Sequence, residues 1–283
     1  MDFKDIEKHI GNVINEYNRR LTPDFEGYSP NEMQQILYFT FGPDSPITLQ
    51  KLSEADYKSI PILNQVKYIM NLIAESGEIK LTKLGFLPTK VVADIYQQGF
   101  LKDDDIESGI SKLYKETDSN TLHLSKILIE IAGLAKKRLG KFSLTKKGEK
   151  ILSDDQKLLE AIIDAFTLKF NWGYFDGYEA PEIGRLGFGF TLVLLAKYGH
   201  EKQPDSFYAK KYFNAYPALL DSFEPGYSTV EEYSTRCYSI RTFERFIDYF
   251  GLIEIERVGN GYFKDIYITK TDLFDKLIKV DLA

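Results

Sequence analysis

The sequence predicts a mainly α-helical chain with small β-hairpins (α+β), built from two helical units that each end in a winged-helix-like hairpin. Apolar residues recur at three- and four-residue steps through much of the chain, which is the spacing of a helix face. Two segments carry the order helix, hairpin, strand, helix. In the second of them Gly259-Asn260-Gly261 separates two alternating apolar runs, and these residues tolerate the positive φ that a tight hairpin demands.

The first helix is expected from Phe3 to Arg20, with Phe3, Ile6, Ile10, Val13, Ile14 and Tyr17 on one face. The turn-rich Thr22 to Gly27 ends it. Ser29-Pro30-Asn31-Glu32 then supplies an N-cap, a proline at the first helical position and a glutamate that closes a capping box, so a helix through Phe39 is expected. Another runs from Pro61 to Glu75. Two short strands leading into helices follow, at Glu78 to Gly85 and Lys141 to Gly148. Before the second, an apolar helix from Leu122 to Leu134 enters a basic turn, Lys136 to Gly140.

Ser153-Asp154-Asp155-Gln156 caps a helix reaching Phe170, which places the division between units at 1–153 and 154–283. Beyond the aromatic loop Asn171 to Tyr178, an apolar helix covers Phe188 to Tyr198 and a further one opens at Pro204-Asp205. The final hairpin unit comprises a helix from Ser239 to Phe250, strands at Leu252 to Glu256 and Tyr262 to Thr269, and a closing helix from Thr271.

Length and composition fit an ordinary globular protein: 283 residues, 43% apolar and 28% charged. No run of about 18 apolar residues exists, so no membrane partner is expected. An acidic start without a continuous apolar stretch, and a single cysteine, Cys237, point to a cytoplasmic location. With a net charge of -6 and a pI near 5.3, the whole molecule repels phosphate, and nucleic-acid binding must come from a local basic surface.

That surface is expected at Lys136, Lys137, Arg138, Lys141, Lys146 and Lys147, because a cationic hairpin follows a phosphate backbone without reading bases. Its plain alternative is a solvated hairpin. The second hairpin mixes Arg257 and Lys264 with Glu254, Glu256 and Asp265, so no net attraction to phosphate is expected there. Trp172, Tyr174, Phe175 and Tyr178, with charge from Asp176 or Arg185, form a second candidate: a stacking platform or partner surface, or else a loop whose rings fold inward.

Other features point to no chemistry. His9, His123 and His200 are far apart and are expected at solvent-facing or helix-end positions, and Cys237 as a small buried hydrophobe. The acids from Asp103 to Glu107 lack the spacing of a calcium loop and suit the start of a helix beginning near Asp105. Gly184 to Gly189 has glycine spacing reversed from the dinucleotide fingerprint, and close helix packing is the expected reason. No catalytic residue, metal or cofactor is expected.

Three segments carry a resemblance: Gly27-Tyr28-Ser29-Pro30-Asn31-Glu32-Met33, Lys80-Leu81-Thr82-Lys83-Leu84-Gly85-Phe86-Leu87-Pro88, and Phe142-Ser143-Leu144-Thr145-Lys146-Lys147-Gly148-Glu149. In these the chain resembles a family of uncharacterised bacterial proteins with LTxxGxLP and LTKKGEK motifs, related to segments found beside SEC-C-like or plasmid ORF-3-like modules. The resemblance implies a compact bacterial domain and transfers no catalytic residue. Relatives commonly carry Asn where this chain has Phe86, and the cysteine ligands of a SEC-C module are missing from it.

The expected function is a non-enzymatic binding or interaction protein, with DNA or RNA held by the first hairpin or another protein as partner. The alternative is a small-molecule-binding protein or enzyme with an aromatic pocket between the two halves. A homo-oligomer joined through the aromatic loop is a third reading.

Overall fold

In the computed structural model, which describes residues 3–259 and 264–283, the chain is mainly helical with small antiparallel sheets. The expected Asn260-Gly261 turn and the strand start at Tyr262 lie outside the described residues. Two compact units interleave in sequence: Met1–Gln50, Asp176–Asp248 and Leu252–Ala283 make the first, Lys51–Phe175 and Tyr249–Gly251 the second. Residue 153 lies within the second unit.

The first unit opens with α1 (Phe3–Asn18), α2 (Pro30–Tyr38) and β1 (Ile47–Leu49). The expected capping box starts α2: the Glu32 amide donates to Ser29 Oγ and the Ser29 amide donates to the Glu32 carboxylate at 2.8 Å. Along α1 the stripe of Ile6, Ile10, Val13, Ile14 and Tyr17 is solvent-exposed.

The second unit contains α3 (Glu54–Tyr57), α4 (Pro61–Ser76), β2 (Ile79–Lys80), α5 (Thr89–Gln97), α6 (Asp104–Glu107), α7 (Asn120–Ile131), β3 (Ala135–Arg138), β4 (Lys141–Leu144), α8 (Lys146–Ile151) and α9 (Asp155–Asp164). Ile62, Val66, Ile69 and Ile73 of α4 are fully buried, as their spacing requires. Lys136, Lys137 and Arg138 prove to be strand rather than turn. The turn is only Leu139-Gly140, whose φ values of 50° and 71° are both positive, as a two-residue hairpin demands.

Both motif glycines have a steric reason. A Cβ on Gly148 would stand 2.0 Å from the Leu134 carbonyl oxygen, so only glycine lets α8 start this close to the end of the preceding helix. Gly85 has a φ of 84°, and the ammonium of Lys137 rests where its Cβ would be.

The acidic run opens a helix as expected, with Asp104, Asp105 and Glu107 in the first turn of α6, but Asp103 at its N-cap makes no side-chain cap hydrogen bond. The Asp103 carboxylate instead accepts from Ser119 Oγ (2.5 Å) and Thr121 Oγ1 (3.2 Å) at the start of α7, and burial raises its pKa.

The first unit resumes with α10 (Phe188–Tyr198), β5 (Gln203–Pro204), α11 (Asp205–Ala215), α12 (Val230–Ser239), β6 (Ile253–Val258), β7 (Asp265–Lys270), α13 (Asp272–Leu277) and β8 (Ile278–Val280). The helix expected to begin at Ser239 begins nine residues earlier, behind a Thr229/Glu232 capping box, and continues past Ser239 as a π-helical stretch, Ile240–Ile247. β8 pairs antiparallel with β1, a long-range closure that no local pattern announces.

The two units share one order of elements. In the second it is α4, β2, α5, α7, β3, β4 with sheet order β2-β4-β3; in the first it is α10, β5, α11, α12, β6, β7 with sheet order β5-β7-β6.

Candidate functional site

Residues directly opposite each other in an antiparallel sheet share a face. In the second unit Lys80 pairs with Lys141 and Lys141 pairs with Arg138, so three cations stand in a row across β2, β4 and β3. Lys136, two positions from Arg138, projects from the same face, opposite Ser143. All four cations are exposed. Lys141 has an acidic partner, Glu78, at 2.5 Å. Among the described residues no ion pair is found for Lys80, Lys136 or Arg138.

The remaining expected cations divide. Lys137 lies on the opposite face, level with the buried Phe142, and leans over Gly85. Lys146 is exposed at the start of α8. The Lys147 ammonium donates to the Ala132 carbonyl at 2.9 Å, so it satisfies the end of α7. Lys80 was missed by sequence reading because only register reveals it: nothing local connects position 80 with position 141. Lys83, exposed in the turn between β2 and α5, adds a further cation.

Helix α7 supplies no readable surface, since Thr121 through Lys126, Leu128 and Ile129 are all buried. Its interior includes an ionic cluster. Glu116 Oε1 lies 2.6 Å from His123 Nδ1 and 3.4 Å from Lys126 Nζ, while Glu116 Oε2 accepts from the Leu87 amide at 2.6 Å. Lys126 also donates to the Gly85 carbonyl (3.0 Å) and lies over the rings of Phe86 and Phe142. His123 therefore lies near the start of α7, one of the expected helix-end positions, but is buried rather than solvent-facing. Phe86 packs edge-on against it at 5.8 Å.

The aromatic loop is divided by the fold. Trp172, Tyr174 and Phe175 belong to the second unit, where the Trp172 indole is buried and donates to the Phe166 carbonyl at 2.9 Å. Tyr174 and Phe175 pack near the His123 ring, although Tyr174 keeps an exposed side. Asp176, Tyr178 and Arg185 belong to the first unit. There Asp176 takes two hydrogen bonds from the buried Arg241, at 3.0 and 2.8 Å, and the Tyr178 and Ala180 carbonyls take the rest of that guanidinium. The Asp176 carboxylate is thus committed to Arg241. Arg185 is half-buried ahead of α10.

Residues 58–157 match the family model of the Y4jL N-terminal domain. This stretch contains the whole cationic sheet, α7, and both the LTKLGFLP and LTKKGEK segments. The Ser29-Pro30 segment lies outside it. No curated protein and no solved structure matches the chain.

Elsewhere the titratable groups are arranged for structure. Among the described residues no three His, Cys, Asp or Glu side chains gather as a metal site, and no helix is long and apolar enough to cross a membrane. Cys237 is fully buried, and burial pushes its thiol up to about 12 against the opposing pull of Arg241. Gly189 stands against the Ile36 carbonyl and Thr40, so this glycine serves the packing of α10 on α2. In the second ribbon Glu244 holds both Arg236 and Arg257 at 2.9 Å, and Glu256 holds Lys202. Of the ribbon's own expected cations, Arg257 is thus matched by a glutamate outside the ribbon.

Proposed function

We propose that this protein binds nucleic acid through the sugar–phosphate backbone, using the outer face of the β2-β4-β3 sheet. One observation carries the reading: Lys80, Lys141 and Arg138 stand directly opposite one another across three strands. Like charges in that relation repel and destabilise a sheet, and a bound row of phosphates removes the repulsion. The element order and sheet order support a winged-helix-like arrangement in which β3 and β4 form the wing. Lys136, Arg138 and Lys141 are the principal contacts, with Lys80 and Lys146 beside them, while Lys137 faces the other way.

The helix that reads base edges in such an arrangement corresponds to α7, which is buried. Binding is therefore directed to backbone rather than to sequence. The net charge of -6 opposes it at long range, so the interaction is a low-salt one.

The test is fluorescence anisotropy with a short labelled duplex DNA, titrated with the whole protein across a salt series. With three or four phosphates neutralised, log affinity should fall against log salt with a slope of about -3. Lys136, Lys137 and Arg138 changed together to Glu should abolish binding without lowering the melting temperature, because all three are exposed and the change also removes the Arg138–Lys141 repulsion. Absence of wild-type binding at low salt removes the proposal.

A further inference from the structure

The tip of the β3–β4 ribbon carries the wrong residue for its geometry. A two-residue turn with both φ positive favours Asn-Gly or Asp-Gly, yet Leu139 occupies the first position with a φ of 50°. Leu139 is also 88% exposed. The position is thus unfavourable twice, for backbone and for apolar surface, and such a strained residue in a charged surface points to use. Around it stand Arg138 before and Lys141 after. The Leu81 amide donates to the Gly140 carbonyl at 2.8 Å, tying the tip to the turn that carries Lys83 and Leu84, itself 80% exposed.

We propose that Leu139 is a wedge that enters between base pairs of duplex DNA from the minor groove while the flanking cations hold the phosphates on either side. This rests on the backbone-contact reading above. An aliphatic side chain beside cations is the chemistry by which proteins unstack a base step and kink a duplex. Single-stranded nucleic acid is disfavoured as the ligand, because its binders offer aromatic rings as stacking platforms, and the ribbon's one ring, Phe142, is buried.

Two duplex probes test it: one with donor and acceptor dyes at its ends, and one carrying a base analogue whose fluorescence rises on unstacking. The wild type should shorten the end-to-end distance of the first and brighten the second. Leu139→Asn, which suits the turn better, should melt higher than the wild type, retain salt-dependent binding, and lose both signals. Leu139→Asn giving the wild-type signals, or wild-type binding with neither signal, overturns the wedge and leaves the backbone contact standing. So does tighter binding to single strands than to duplex. No binding to any of these probes overturns both.

Discussion

Glu116 and His123 face each other in the interior of the second unit, with Oε1 2.6 Å from Nδ1 and the carboxylate wholly buried. The same carboxylate neutralises Lys126, whose side chain is also buried. Two polar side chains and the Leu87 amide thus share this one acid, and only Lys126 has another acidic partner, Glu130 at 3.3 Å. Glu116→Ala should cost about 3–5 kcal/mol, the range for breaking a buried ion pair by removing one partner. Glu116→Gln keeps the volume and an acceptor for the Leu87 amide, and should cost less. Urea unfolding of the two variants checks the order; equal losses would mean that the lost charge alone, and neither the cavity nor the Leu87 contact, governs the site.

In the first unit, Glu26 accepts from Lys211 (2.6 Å), Lys197 (2.9 Å) and Tyr198 (2.5 Å). Burial alone would raise its pKa, but these three hydrogen bonds outweigh burial and hold the carboxyl below its ordinary 4.5. A depressed folded-state pKa contributes stability that is fully present above the ordinary value and is lost as pH falls through the folded one. The stability difference between wild type and Glu26→Gln should therefore be constant near neutrality and shrink below pH 4.5. Denaturant midpoints measured from pH 3 to 7 test this; a difference independent of pH would remove the ion pairs as its cause.

What the sequence disclosed follows the range of the interactions involved. The Ser29 capping box, α10, and both β-ribbons were legible because their signals lie within a few residues. The start of α12 was equally local, in Thr229 and Glu232, and was overlooked between Pro225 and the apolar run that follows. The β1–β8 pairing and the Lys80–Lys141–Arg138 row were beyond reach, since each depends on register between distant segments. Periodicity also identifies an apolar face without saying what covers it: the α1 stripe is in phase, yet Ile10, Val13 and Ile14 are each about half exposed. His123 shows the same limit in reverse. Its helix was expected, but its burial depends on Glu116, Phe86 and Phe175 arriving from other segments.

Gly148 offers a test in which two effects oppose each other. It lies inside α8, where alanine is favoured over glycine by about 1 kcal/mol on helix propensity alone. Against that, the new Cβ would meet the Leu134 carbonyl oxygen at 2.0 Å, and a backbone atom held by the end of α7 and the start of β3 cannot turn aside as a side chain would. Overpacking costs typically about 1–3 kcal/mol, and a contact this short belongs at the upper end, so Gly148→Ala should be destabilising on balance. Gly226→Ala is the control, because a Cβ there meets nothing within 4 Å and the backbone is not left-handed. Thermal melts should show a clear loss for the first variant and no loss for the second. A Gly148→Ala protein as stable as the wild type would mean that α8 can move away from Leu134, and the close approach would no longer explain the glycine in the LTKKGEK segment.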